Sequence, residues 1–139
     1  MKHKQASNWI ITAAILGGMA VLLGAFGAHT LKSSINEYQI GIFRTGVSYQ
    51  FYHALAIGMI AVLSLNLHSK FLKYAFYCFL IGTLCFSGSL YLIATNELLG
   101  IFNWLKFLGP ITPIGGVLFL VGWISIIIHG IHLRKHNKN

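Results

Sequence analysis

His29, His53, Ser87 and Ser89 are the side chains with the chemistry of a base and a nucleophile, and Tyr49, Gln50, Tyr91 and Thr112 are polar groups of the kind that would accompany them. A Ser–His pair catalyses acyl transfer best when a third group, usually a carboxylate, orients the imidazole. Glu37 and Glu97 are the only two acids of the chain, and both fall in segments between its apolar stretches. No catalytic residue is assigned on this basis, and the balance is against an enzyme. Two imidazoles without Cys or carboxylate support also make a poor zinc set, so neither metal nor cofactor is expected. His129, His132 and His136 share one helical face beside Arg134 and Lys135, an arrangement suited to lipid head groups. Cys78 and Cys85 lie seven positions apart on one helix, about 10.5 Å along its axis, too far for a disulfide.

The elements that must position these residues follow from charge. The chain has 139 residues, is 56% hydrophobic, and carries only ten Lys or Arg and two Glu. No charged residue occurs in 5–31, 45–69, 74–96 or 107–133. Each window is longer than the ~20 apolar residues a helix needs to cross ~30 Å of hydrocarbon. An ordinary soluble globule is excluded. Expected instead is an all-α integral membrane four-helix bundle forming a single four-span domain over 1–139, with spans at about 9–29, 47–67, 74–94 and 113–133. The apolar run 9–28 exceeds the usual h-region of a cleaved signal peptide and reads as a retained span. The formal charge of +8 forms no continuous stripe, so nucleic acid is not an expected partner.

Orientation is read from the basic residues. Lys2, Lys4, Lys70, Lys73, Arg134, Lys135 and Lys138 fall on the side of the termini, against Lys32, Arg44 and Lys106 on the other. Positive-inside then places both termini in the cytoplasm of a multi-pass plasma-membrane protein.

Ala13, Gly17, Ala20, Gly24 and Gly27 form a small-residue stripe on the first span, the feature that lets helix backbones approach closely in lipid. Such Gly/Ala faces would also serve a homo-oligomer or a partner membrane protein, alongside the membrane lipids themselves. Ser34 through Glu37 fits a capping box, and Ile35, Tyr38 and Ile42 follow at helical spacing. A short interfacial amphipathic helix is expected there, on the outer side between spans 1 and 2. Thr83, Ser87, Tyr91 and Thr95 make a polar line on the third span, with Gly88 permitting close contact. Thr112 and Pro113 suit the N-cap and first turn of the fourth. Gly115, Gly116 and Gly122 would then let that span pack closely.

With this topology, His29, Tyr49, Gln50, His53, Ser87, Ser89, Tyr91 and Thr112 gather in the outer-leaflet half of the bundle. Such a layer either locks the helices by hydrogen bonds or forms a pocket. The first alternative describes a non-catalytic accessory, scaffold or lipid-binding protein. The second describes a small-molecule carrier with a His-containing pocket, or an intramembrane enzyme acting on lipid. The lack of any carboxylate within a span argues against a proton-driven pump.

Four motifs stand in order along the chain: Gly24 to His29 (GAFGAH), Tyr49 to Leu55 (YQFYHAL), Phe86 to Tyr91 (FSGSLY) and Thr112 to Gly116 (TPIGG). In these the sequence resembles a family of small bacterial membrane proteins, the domain of unknown function 423 of the YgdD/YwdK type. The resemblance implies a four-span inner-membrane protein and no particular activity, cofactor or catalytic residue. Asn96 departs from it, standing where such proteins tend to have Gly, and Asn tolerates the left-handed backbone a Gly would take there.

Overall fold

The computed structural model describes residues 2–67 and 69–136. Expectations resting on the side chains of Lys2, His68, His136 and Lys138 lie outside what it describes. Four long helices account for nearly all of it: α1 (Lys2–His29), α2 (Glu37–Asn66), α3 (Lys70–Ala94) and, after the one-turn α4 (Asn96–Leu99), α5 (Leu105–His136). At 1.5 Å per residue, 25 residues in the shortest long helix span about 38 Å, more than the hydrocarbon thickness. All four are long and apolar enough to cross a membrane.

The helices pack in chain order. α1 lies chiefly on α2, α2 on α3, and α3 on α5, so α2 and α3 are central and α1 and α5 outermost. Trp9, Ile57, Ile60, Leu72, Phe76 and Phe79 fill the core toward the end that carries the α2–α3 turn. Leu31, Ile40, Phe43 and Ala94 form a smaller cluster at the opposite end.

Small residues set the spacing, because apolar side chains in lipid gain no hydrophobic drive from meeting one another. The stripe on α1 faces α2 as the sequence requires. A Cβ on Gly17 would lie 3.9 Å from Ala54, one on Gly24 3.4 Å from Val47, and one on Gly27 3.0 Å from the Phe43 ring. The contact between α3 and α5 is closer. A Cβ on Gly115 would sit 2.5 Å from the Phe86 backbone nitrogen and 2.9 Å from the Gly82 carbonyl oxygen. One on Gly122 would overlap the Phe79 ring, and one on Gly82 the Phe119 ring. Gly88 has no neighbour within 4 Å, so Gly82, two turns earlier, is the glycine on which the close approach depends.

Three helix boundaries differ from expectation. The capping box exists two positions later than Ser34: the Asn36 side chain accepts from Gln39 N–H (2.9 Å), and the Gln39 side chain accepts from Asn36 N–H (3.0 Å). Asn is as good an N-cap as Ser, and Gln closes the box as well as Glu. Tyr38 and Ile42 thus belong to the first turns of α2, continuous with the second span, and a 3-10 turn over Leu31–Ser33 takes the place between spans.

The last helix begins at Leu105, so Thr112 and Pro113 lie inside it, as does Pro110. Each proline removes one backbone donor, a loss that membrane helices tolerate where neighbouring helices and hydroxyls re-satisfy the backbone. The left-handed residue between α4 and α5 is Gly100 (φ 65°), whereas Asn96 opens α4 at negative φ and donates from its side chain to the Ile93 carbonyl (2.6 Å).

The glycine contacts separate two substitutions of the same type. Gly115→Ala should lower the melting temperature in detergent by the equivalent of about 1–3 kcal/mol, since it presses on backbone that cannot rotate away. Gly88→Ala, with open space around it, should be neutral or raise the melting temperature slightly. Equal melting of the two variants would contradict a backbone contact at Gly115.

Candidate functional site

The polar side chains divide into two linked pairs and one enclosed ring. In the first pair, Gln50 is buried near the middle of α2 and reaches in two directions. Its Nε2 donates to the Leu16 carbonyl oxygen of α1 (2.8 Å), and its Oε1 accepts from the Tyr91 hydroxyl of α3 (2.9 Å). Gly46, one turn before Gln50, makes room for Tyr91: a Cβ there would lie 2.9 Å from the ring. Phe43, a further turn back, packs on the same ring with centroids 4.9 Å apart. One amide thereby ties three helices together.

The second pair joins α3 to α5. Ser89 Oγ and Thr112 Oγ1 are 2.6 Å apart, and Ser89 also donates to the Phe86 carbonyl (3.0 Å). Thr112 therefore acts as a cross-helix partner in the proline-containing turn of α5 rather than as a helix cap.

His53 is 5% exposed. Its ring lies flat on Phe119 (centroids 3.5 Å apart, planes 7° apart) and against Phe79 at 5.2 Å. Nδ1 is 2.8 Å from the Tyr49 carbonyl oxygen. A carbonyl can only accept, so Nδ1 carries the proton and Nε2 of the neutral ring presents a lone pair. That Nε2 is buried without a hydrogen-bond partner among the described residues, as is Ser87 Oγ. Tyr49 covers the site from the lipid side, 39% exposed and stacked on Phe86 at 4.5 Å.

The structure brings Gln50 and Tyr91 together, and Ser89 and Thr112 together. His29 joins neither pair: it is exposed at the end of α1. Gln50 and His53 also sit near mid-length of α2, Gln50 reaching Leu16 at mid-α1 and Tyr91 near the end of α3, His53 packing on Phe79 at mid-α3 and Phe119 at mid-α5, so the polar groups run from one end of the bundle to its centre. On the polar line of α3, Thr83 and Thr95 bond carbonyls of their own helix, Phe79 and Tyr91, at 2.8 Å each. Leu16, Phe79 and Phe119 went unseen in the sequence. A backbone carbonyl carries no side-chain signal, and a phenylalanine in an apolar helix is indistinguishable from its neighbours. Among the described residues, no three of His, Cys, Asp and Glu are grouped to hold a metal ion.

Chemically, the arrangement supplies satisfied hydrogen bonds and one basic lone pair enclosed by aromatic rings, with no acid beside it. Gln50→Leu should cost about 1–2 kcal/mol of stability in detergent, because the Tyr91 hydroxyl is left unpaired in the interior. His53→Phe should melt within about 1 kcal/mol of the parent, since it keeps the stack and strands no partner: the Tyr49 carbonyl still accepts from the helix backbone. A large loss in the second variant would show that Nε2 has a partner holding the bundle.

The family model for "Protein of unknown function (DUF423)" matches residues 23–116, a stretch that contains all eight candidate residues from His29 to Thr112. The UPF0382 membrane protein SAB0533 of Staphylococcus aureus is 41% identical over 120 residues, covering 86% of this chain and 92% of that protein. The UPF0382 inner membrane protein YgdD of Escherichia coli K12 is 37% identical over 126 residues, 91% of each chain. No solved structure matches.

Proposed function

The chain belongs to the DUF423 family of membrane proteins, and from that premise we propose a non-catalytic role: an accessory or scaffold protein of the cell membrane that works through its helix faces and its lipid contacts. The observation that carries this reading is the use to which the Gln50 amide is put. The side chain is buried, and both its ends are spent on joining α1, α2 and α3. The remaining interior hydroxyl pair, Ser89 with Thr112, is likewise spent on joining α3 to α5.

The carrier and enzyme alternatives would have to use His53. Its Nε2 is enclosed by Phe119 and Phe79, and no carboxylate is available to orient or charge the ring. A lipid substrate would have to displace those rings to reach it.

The reading includes an orientation. Seven basic residues on the side of the termini against three on the other support a cytoplasmic N-terminus and C-terminus. Alkaline phosphatase fused at either end should be inactive in cells, and a fluorescent protein at either end bright; an active phosphatase fusion at either terminus overturns the orientation. The non-catalytic role is tested by comparing cells that overproduce the parent or His53→Phe. Their membrane lipid composition should be the same. A lipid species that changes with the parent and not with the variant would establish an enzyme instead.

A further inference from the structure

At the end of the bundle that carries the N-terminus, α1, the last turn of α2 and the first turn of α3 line an open concavity of about 690 Å3. Its size falls within the range of small-ligand sites. Lys4 of α1 and Lys70 and Lys73 of α3, all exposed, line it, with the Lys70 ammonium lying over the Phe71 ring, 5.5 Å from its centroid. Asn8 and Ser69 add neutral hydrogen-bonding groups at its wall. Its floor is apolar: Trp9 is buried and stacked flat on Phe76, with centroids 4.6 Å apart and planes 10° apart.

Charge selects the occupant. The lining includes neither acid of the chain: Glu37 begins α2, at the opposite end of that helix, and Glu97 lies in α4, beyond the far end of α3. Three lysines and no acid line the concavity, so its field favours an anion. The N-terminus of α3 opens on the same space, with one of its free amides capped by Ser69 (3.2 Å from Phe71 N), and the helix dipole there favours negative charge. The apolar floor then distinguishes a lipid from a free ion. A phosphodiester head group places its anion at the level of the lysines and leaves its glycerol and upper acyl carbons against Trp9. Basic pockets between membrane helices bind anionic head groups in this way.

We propose that this cavity is a binding site for one anionic phospholipid, held by its phosphodiester between Lys4, Lys70 and Lys73. The site gives the scaffold a specific lipid at the end where its termini lie. It rests on the lipid-contacting reading above, yet it fails separately: its loss would leave the orientation and the lipid-composition results untouched.

The test uses the full chain, purified in mild detergent and mixed with equal amounts of phosphatidylglycerol and phosphatidylethanolamine, with bound lipid read by native mass spectrometry. One phosphatidylglycerol should be retained in preference to phosphatidylethanolamine. The exposed pair Lys70→Gln with Lys73→Gln should lower that retention about tenfold while helix content is unchanged. Lys70→Arg with Lys73→Arg should keep it, and Lys32→Gln with Lys106→Gln, at the opposite end, should leave it as in the parent. Equal retention of phosphatidylglycerol by the Gln pair overturns the proposal. So does an equal rise in melting temperature with inorganic phosphate alone, which would make the cavity a site for the free anion.

Discussion

An amide side chain in hydrocarbon has no water to bond, and every arrangement that leaves it unpaired is expensive. Gln50 meets that constraint by using its two ends on two other helices, the Leu16 carbonyl and the Tyr91 hydroxyl. The rest of the packing has to be compatible with this. α1 must come near enough for a backbone carbonyl to be reached, and along that face the small residues keep the contact close, most tightly at Gly27, where a Cβ would lie 3.0 Å from the Phe43 ring. α3 must approach with a whole phenol ring between it and α2, which is what the missing side chain at Gly46 allows. The amide specifies register as well as proximity, because sliding α1 by one turn would move the Leu16 carbonyl about 5.4 Å away.

The other half of the molecule is held differently. Between α3 and α5 the backbones themselves touch at Gly82 and Gly115, and Phe79, Phe86 and Phe119 lie over the glycines. Dispersion between close-packed surfaces replaces the hydrophobic effect that lipid does not provide. His53 belongs to this aromatic packing as much as to the polar set. Its ring is sandwiched by geometry that a phenylalanine could reproduce, and its one hydrogen bond returns to its own helix. Placed on α2 and stacked on α5, it bridges the two halves together with Tyr49, which also stacks on Phe119.

How much of this the sequence discloses depends on what each feature requires. The four spans are visible because charge is excluded from hydrocarbon regardless of detail, and the α1 stripe because close packing demands small residues in a fixed period. Asn36 and Gln39 lose to Ser34 and Glu37 only because both pairs satisfy the same capping pattern, three residues apart. Pro110 and Pro113 mislead for a related reason. A proline that would begin a helix in water can sit inside one in a membrane when a hydroxyl such as Thr112 and a neighbouring helix stand nearby. Partner choice is the least visible level. Gln50 is an obvious outlier in an apolar window, but nothing in its spacing says that it reaches Leu16, and His29 is as polar as His53 while lying exposed outside the cluster.

The two ends of the molecule consequently ask for different things of their surroundings. From the middle to the end bearing the α1–α2 connection, Gln50 closes on Tyr91 and Ser89 on Thr112, while His53 Nε2 and Ser87 Oγ stay buried without a partner among the described residues. Toward the other end Trp9 stacks on Phe76, Ser125 and His129 of α5 are buried, and three lysines with no acid line one concavity together with neutral polar residues. With Gln50 joined to Tyr91 and Ser89 to Thr112, the bundle meets its environment chiefly through its outer helices and its ends. On the proposal above, the charged end is where an anionic lipid would bind, since three lysines and no acid line the concavity there. Function in so small a chain is therefore better sought in what that end holds than in the histidine at its centre.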